Sequence, residues 1–239
     1  MAVLGFSSHR TKDRHYMTRL FLLAALLLTS NVSAAPINLI TNGDFDGGYS
    51  GFSTDYFVGK DTAADDDLWA AGMVGIDDSA IGRHPYWVTN GDQSGAGNML
   101  LVNGRTDAES TVWRQDVAVE QNHGYSWTTW AMNLCCRTGI LEGDGPTLQF
   151  LVNGLLLGAF TTDGPGVWES VGFFFESGLS TLAVLEIRNT TTTFHGNDFA
   201  LDTLAVTDDG AVPEPASMLL LGTGLIGVAR AVSRRRKQA

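Results

Sequence analysis

Between residues 36 and 211 the apolar positions fall in short runs, most of them alternating with polar ones and none recurring with a sustained helical period. Alternation sets successive side chains on opposite faces of an extended chain. Residues 98–102, 110–119, 125–133, 147–152, 155–160, 167–176, 181–189 and 199–206 each read as a strand, with β-branched and aromatic residues common among them. Gly, Asn, Asp and Pro separate the runs. At Asn153-Gly154 the break is two residues long and of the composition that tolerates φ > 0 at both positions, which predicts a tight hairpin. The stretch 59–97 is rich in Gly and Asp and lacks the strand pattern, so it predicts long loops. Many short strands with turn signals between them predict an all-β domain, a β-sandwich of jelly-roll type.

Two apolar segments break that pattern, one at each end. Residues 20–28 (LFLLAALLL) are uniformly apolar, follow Arg19 and earlier basic residues, and precede the small residues Val32-Ser33-Ala34-Ala35. A basic region, an apolar region and a small-residue cleavage site make a secretory signal peptide, predicted as a helical segment over 1–35, with Met17 as a second, more compact start. Residues 216–229 are apolar or small, and Arg230 interrupts before Ala231-Val232. As a helix, the stretch to Val232 spans roughly 25 Å, short of the roughly 30 Å hydrocarbon core, and Arg230 extends the reach by snorkelling. The basic cluster Arg234, Arg235, Arg236 and Lys237 stays cytoplasmic by the positive-inside rule, which leaves the body outside.

The charge distribution agrees. Nine of the 15 basic residues lie at the two ends, with only Asp13 and Glu214 of the 26 acids, so the body holds six bases against 24 acids and a net charge of −18. Such a body repels phosphate backbones, which excludes nucleic acid as a partner, and suits an extracytoplasmic domain that binds cations. Its histidines, His84, His123 and His195, form no catalytic motif. The acidic run Asp65-Asp66-Asp67 lacks the spacing of a calcium loop and reads as a solvated loop. Cys135 and Cys136 are adjacent: two half-buried thiols on a strand are the simpler reading and a vicinal disulfide the other. All six tryptophans lie in the body, where core packing is the ordinary fate of each. Trp127 and Trp130 point to opposite faces of a regular strand. Tyr86 and Trp87, beside Pro85 in the loop-rich stretch, are the pair expected in solvent and the candidate ligand-binding residues, since exposed flat rings stack on sugars.

Two resemblances attach to these segments. Val212-Pro213-Glu214-Pro215, the short apolar segment and the terminal basic cluster, in that order, resemble the PEP-CTERM sorting signal of Gram-negative bacteria. The resemblance covers 212–239 and implies Pro213, Glu214 and Pro215 as the recognition motif of a membrane enzyme, exosortase, acting on a membrane-anchored precursor. Two prolines holding Glu214 in extended chain outside the bilayer fit that role. Separately, the start of the body, residues 38–46 (NLITNGDFD), its end, 196–202 (GNDFALD), and the middle run 148–154 with Trp168 are similar to the opening, closing and middle strands of galactose-binding-like carbohydrate-binding modules. That family often holds a structural calcium where first and last strands lie side by side. The resemblance implies Asp46 and Asp202 as its acidic ligands, with Asp44 and Asp198 flanking; the second acid usual after the position of Asp202 is Thr203 here.

The expectation is therefore a signal peptide (1–35), a β-sandwich (36–211) and a sorting tail with a transmembrane helix (212–239). The product is an exported cell-surface or matrix protein, non-catalytic, that binds or organises extracellular polysaccharide. The alternatives are a glycan-active extracellular enzyme and a purely structural adhesin.

Overall fold

The computed structural model describes residues 36–59, 67–88, 90–107, 109–137 and 145–212. The signal segment, the acids Asp65 and Asp66, and the tail from Pro213 onward, with its predicted transmembrane helix, lie outside the described residues. Among the described residues ten strands form the fold: β1 (Phe57–Val58), β2 (Met73–Asp77), β3 (Met99–Asn103), β4 (Ser110–Ala118), β5 (His123–Asn133), β6 (Thr147–Val152), β7 (Leu155–Thr161), β8 (Trp168–Glu176), β9 (Leu182–Asn189) and β10 (Phe199–Ala211). No helix occurs among the described residues.

The strands make two sheets, one ordered β1-β2-β3-β10-β5-β8 and the other β4-β9-β6-β7. Every pairing is antiparallel except β1 with β2. This is the β-sandwich of jelly-roll type that the alternation predicts. Asn153 and Gly154, at φ 52° and 78°, turn β6 into β7 in two residues, as their composition requires. Trp127 is buried against Trp113 and Phe150 at centroid distances of 6.2 and 5.2 Å, while Trp130, on the other face of β5, is half-buried.

Alternation along the central strands produces two cores rather than one. Leu100, Val102, Tyr125, Trp127, Ala131, Phe199 and Leu201 point between the sheets. Their neighbours Met99, Leu101, Met132 and Ala200 point out through the other face of the six-stranded sheet, where Leu68, Ala80 and Trp87 cover them. A strand with both faces covered reads as a continuous apolar run, which is why Met-Leu-Leu-Val in β3 shows no polar position. Among the described residues, both cores are built from side chains between Ile40 and Val206.

Two sequence expectations need correction. The stretch 59–97 is not only loop: it supplies β2, and Leu68, Ala80 and Trp87 from its other described residues cover the outer face of the six-stranded sheet. A buried ion triad holds the cover. Arg83, 2% exposed, meets Asp67 through Nε and Nη2 at 2.7 and 3.0 Å and Asp77 through Nη1 at 2.7 Å. The opening segment 38–46 is not a strand but a run of turns, because Asn42 and Phe45 take positive φ and interrupt the extended chain. It still lies along β10, through Leu39 N–H to the Val206 carbonyl, Leu204 N–H to the Gly43 carbonyl (both 2.8 Å), and the Asn38 side chain bonded to Leu204 O and Val206 N.

Candidate functional site

At the end of the sandwich where β3 and β5 finish and β10 begins, the cover loop and the 191–197 loop enclose a recess of about 70 Å³. Asn103, Asp198, Cys135 and Cys136 floor it, and Trp69, His84, Tyr86, Phe194 and His195 wall it. Its rim is aromatic and in solvent: Trp69 is 53% exposed, Tyr86 43% and Phe194 75%.

The Trp69 and Tyr86 rings are held from below. The Asn103 amide donates to the carbonyls of Leu68 and Trp69 at 2.8 and 3.2 Å, fixing the backbone that carries the Trp69 ring. His84 stacks between Trp69 and Trp87, with centroids 5.2 and 5.1 Å away and interplanar angles of 19° and 24°. Tyr86 lies 5.7 Å from both the Trp69 and the His84 ring. Its carbonyl accepts the Arg137 N–H at 2.9 Å, and the Arg137 guanidinium binds the neighbouring Pro85 carbonyl.

Trp87 is not in solvent. It is 1% exposed, and its indole N–H donates to Asp198 Oδ2 at 2.7 Å. A loop tryptophan gains more from burying its ring when the N–H finds a buried acceptor, and Asp198 supplies one. The other Asp198 oxygen accepts the Gly104 N–H at 3.1 Å. Burial pushes the Asp198 carboxyl up to about 6, against the opposing pull of those two hydrogen bonds and of His195. Space here is tight: a Cβ on Gly104 would stand 2.3 Å from the Asn197 carbonyl oxygen. Cys135 and Cys136 are buried and joined as a vicinal disulfide, in place of the two thiols that the simpler reading favours.

Of the two residues expected at a binding surface, the structure thus brings Tyr86 to the rim and puts Trp87 beneath it. Trp69 and Phe194 are the rim residues that the sequence reading does not single out. Phe194 had a signal: it stands alone in the polar loop Thr-Thr-Thr-Thr-Phe-His-Gly. Trp69 had none, since an exposed tryptophan beside the buried Leu68 looks like any strand pair.

The acids matched to a calcium site lie elsewhere. Asp202 is 1% exposed at a bulge in β10, where Thr203 takes φ 52°. Its carboxylate accepts the N–H groups of Gln93 at 3.0 Å and Thr203 at 2.6 Å. Burial raises its pKa to about 6, with the charges of Asp92 and Asp44 adding to the rise. Asp46 is exposed and accepts the Asn98 N–H at 2.8 Å. The two carboxylates clamp the two ends of the 93–98 loop. Among the described residues no group of three or more His, Cys, Asp or Glu is arranged to hold a metal, so a cation here would draw on backbone carbonyls and water as well.

At the opposite end of the sandwich the chain leaves β10. Val212 N–H donates to the Asn122 carbonyl at 2.7 Å, and Pro213, Glu214 and Pro215 follow outside the described residues. Among the described residues no helix is long and apolar enough to cross a membrane.

The class defined so far is a jelly-roll β-sandwich with an aromatic recess at one end and an apolar, basic-ended tail at the other. The tail has a specific identity: residues 211–237 match the PEP-CTERM protein-sorting motif. The protein is therefore exported by way of a membrane-anchored precursor, and exosortase is its implied partner. No curated protein matches the chain. Among solved structures, a cyclase from Fischerella sp. TAU in complex with 4-(1H-indol-3-yl)butan-2-one is similar, at 15% identity and a TM-score of 0.52, over 75% of this chain and 100% of that one. The CBM22-1 xylan-binding domain of Paenibacillus barcinonensis Xyn10C matches at 15% identity and a TM-score of 0.43, over 76% and 100% of the two chains. TmCBM61 in complex with β-1,4-galactotriose matches at 13% and 0.46, over 72% and 99%. At these identities the cyclase likeness establishes the fold alone, and the other two add nothing to it.

Proposed function

We propose that this protein binds an extracellular polysaccharide without catalysis, at the cell surface or in the matrix, and that the aromatic recess is its binding site. The observation that carries this reading is the exposed trio Trp69, Tyr86 and Phe194 around a recess at the end of the sandwich away from the sorting tail. Rings held in solvent by hydrogen-bonded backbone and a stacked histidine offer flat faces to the apolar faces of sugars. The recess is too small to enclose a sugar, so it takes an edge or substituent while the rim rings stack on the chain. The body's net charge of −18 selects for neutral glycans over polyanionic ones.

The test is affinity electrophoresis of the body, residues 36–212, in gels containing neutral polysaccharides. Retardation by at least one glycan is expected, and Trp69→Ala should weaken it about tenfold while leaving the melting temperature within a degree or two. Binding that survives both Trp69→Ala and Tyr86→Ala would place the site elsewhere, and no retardation by any glycan would sink the reading.

One observation favours a second reading, a glycan-active enzyme: Asp198, at the recess floor near His195, has a carboxyl shifted into the range of a general acid. Against it, both oxygens are engaged by Trp87 and Gly104 and the residue is 5% exposed. Polysaccharide turnover abolished by Asp198→Asn would establish it. Structural calcium at Asp202 and Asp46 remains part of the proposal because Asp44 and Asp92 crowd negative charge around Asp202. A melting temperature that rises with calcium, and no longer does so in Asp202→Ala, is the expected outcome.

A further inference from the structure

The end of the sandwich from which the tail departs carries an apolar fringe that neither core uses. Three turns meet there: 119–122 between β4 and β5, Asn153-Gly154 between β6 and β7, and 177–181 between β8 and β9. They are tied to each other and to the exit strand by backbone hydrogen bonds. Val212 N–H donates to Asn122 O at 2.7 Å, Asn122 N–H to Gly178 O at 2.6 Å, Val119 N–H to Thr181 O at 3.1 Å, and Asn153 N–H to Val184 O at 2.8 Å. On this platform Leu155 is 74% exposed, Leu156 55%, Phe174 54%, Leu179 80% and Leu182 45%. Leu155 and Leu179 sit at the turns. Leu156 and Leu182 face outward from the four-stranded sheet, and Phe174 outward from the six-stranded one, across Gly124 and beside Val212. The fringe therefore surrounds the point where the chain leaves. Single exposed leucines are ordinary; five large apolar side chains gathered at one end are not.

The sequence beyond says what meets them. Only Pro213, Glu214 and Pro215 separate Val212 from the apolar segment that begins at Ala216. The four steps from Val212 to Ala216 reach at most about 14 Å. While the precursor is anchored, this end of the sandwich is held within that distance of the bilayer, and the opposite end, with the aromatic recess, lies about 35 Å from it along β5.

We propose that the fringe of Leu155, Leu156, Phe174, Leu179 and Leu182 rests on the lipid surface of the bilayer through which the tail runs, seating the body upright with its recess facing away from the membrane. The exposed acids Glu120, Glu176, Asp208 and Asp209 lie on the strands and turns of the same end. The surface it suits is accordingly a zwitterionic one, and anionic lipid opposes the contact. The proposal rests on the tail being membrane-inserted and is independent of glycan binding.

The experiment uses the full-length precursor reconstituted in phosphatidylcholine vesicles containing a headgroup-level spin-labelled quencher lipid. One fluorophore is placed at Leu179→Cys and, in a second sample, at Phe194→Cys. Strong quenching at position 179 and none at 194 is expected. Adding phosphatidylglycerol should reduce the quenching at 179. Replacing Leu155 and Leu182 by Ser, exposed positions whose change leaves thermal unfolding intact, should reduce it several-fold. If quenching at 179 equals that at 194, the body does not sit on the membrane and the proposal fails. It fails equally if the two serine replacements leave quenching unchanged, because tethering alone would then account for the proximity. A third arm uses the body, residues 36–212, without the tail. Its binding to phosphatidylcholine vesicles should weaken roughly tenfold for each leucine replaced by serine; binding that rises with anionic lipid content would also overturn the proposal.

Discussion

The two ends of this sandwich solve the same problem, closing a pair of sheets, by opposite means. At the recess end the connections are long, and buried polar groups hold them: Asp198 takes the Trp87 indole and the Gly104 amide, Asn103 grips the backbone before and at Trp69, and Arg83 pins the cover through two aspartates. At the exit end three strand connections are two to five residues long, and main-chain hydrogen bonds join with those of polar side chains, such as Ser177 Oγ to the Glu120 carbonyl and the Val184 N–H to Asn153 Oδ1, without a buried charge. A long loop laid on an apolar sheet must satisfy its own backbone and polar side chains away from water. A short turn leaves them in solvent. The difference places rigid, pre-positioned rings at one end and generic turns with exposed apolar side chains at the other.

The sharpest way to break the contrast is at Arg83. Replacing it with Met keeps the length and the apolar stem but leaves Asp67, 4% exposed, without its partner. Removing one member of a buried pair costs about 3–5 kcal/mol, because the remaining charge stays desolvated. Chemical unfolding of Arg83→Met should show a loss of that order, together with increased hydrogen exchange over 67–88. If Arg83→Met unfolds like the parent, the cover does not depend on the triad, and the recess end is held as loosely as the exit end.

A smaller effect follows from Asp198. Its folded-state pKa, about 6, lies above the ordinary aspartate value of 3.8. The protonated form is the one the fold favours, so this group's contribution to stability is fully present below about pH 4. It is lost as pH rises through about 6, amounting to about 3 kcal/mol. Asp198→Asn removes the ionisation but offers only one acceptor to the Trp87 and Gly104 donors. Its stability at acid pH should therefore fall below that of the parent, and its profile between pH 4 and 7 should be flatter. An unchanged slope would mean that Asp198 is hydrated and that the recess floor is open to water.

The contrast between the ends also explains what could be read from the chain. Strands bounded by short turns announce themselves: β6 and β7 flank Asn153-Gly154, and their alternation survives because one face meets solvent. β2 did not, because Met73–Asp77 contains Gly75 and is set among Gly and Asp residues. Gly75 is there for Arg83, whose Nη2 would stand 2.4 Å from a Cβ at that position. Adjacent aromatics such as Tyr86 and Trp87 carry no sign of which one is buried; that depends on Asp198, 111 residues away along the chain. The opening segment carried a turn signal of its own in Asn42-Gly43, which the resemblance to an opening strand overrode, and Asn42 and Phe45 take positive φ there. The sorting motif over 211–237 was legible because its information is linear: a short motif, an apolar length and a charge cluster read along the sequence.

The smallest effect tests the exit end on its own terms. Gly154 has φ 78°, and a Cβ there would meet nothing within 4 Å, so Gly154→Ala isolates the backbone cost of the left-handed conformation from any clash. That cost is about 1 kcal/mol. It is far less than the cost of a methyl at Gly104, where the Asn197 carbonyl blocks the space at 2.3 Å. Thermal unfolding of Gly154→Ala should show the small loss with glycan binding unaffected, because the turn and the recess are joined only through the rigid body of the sheets. A loss well above 1 kcal/mol would mean that the β6–β7 turn carries tertiary packing, and the exit end would then be as specifically determined as the recess end. A loss close to it, with the hairpin register kept, would mean that this end is free to vary in side chain so long as the turn closes, which leaves Leu155 and its neighbours exposed for a reason outside the fold.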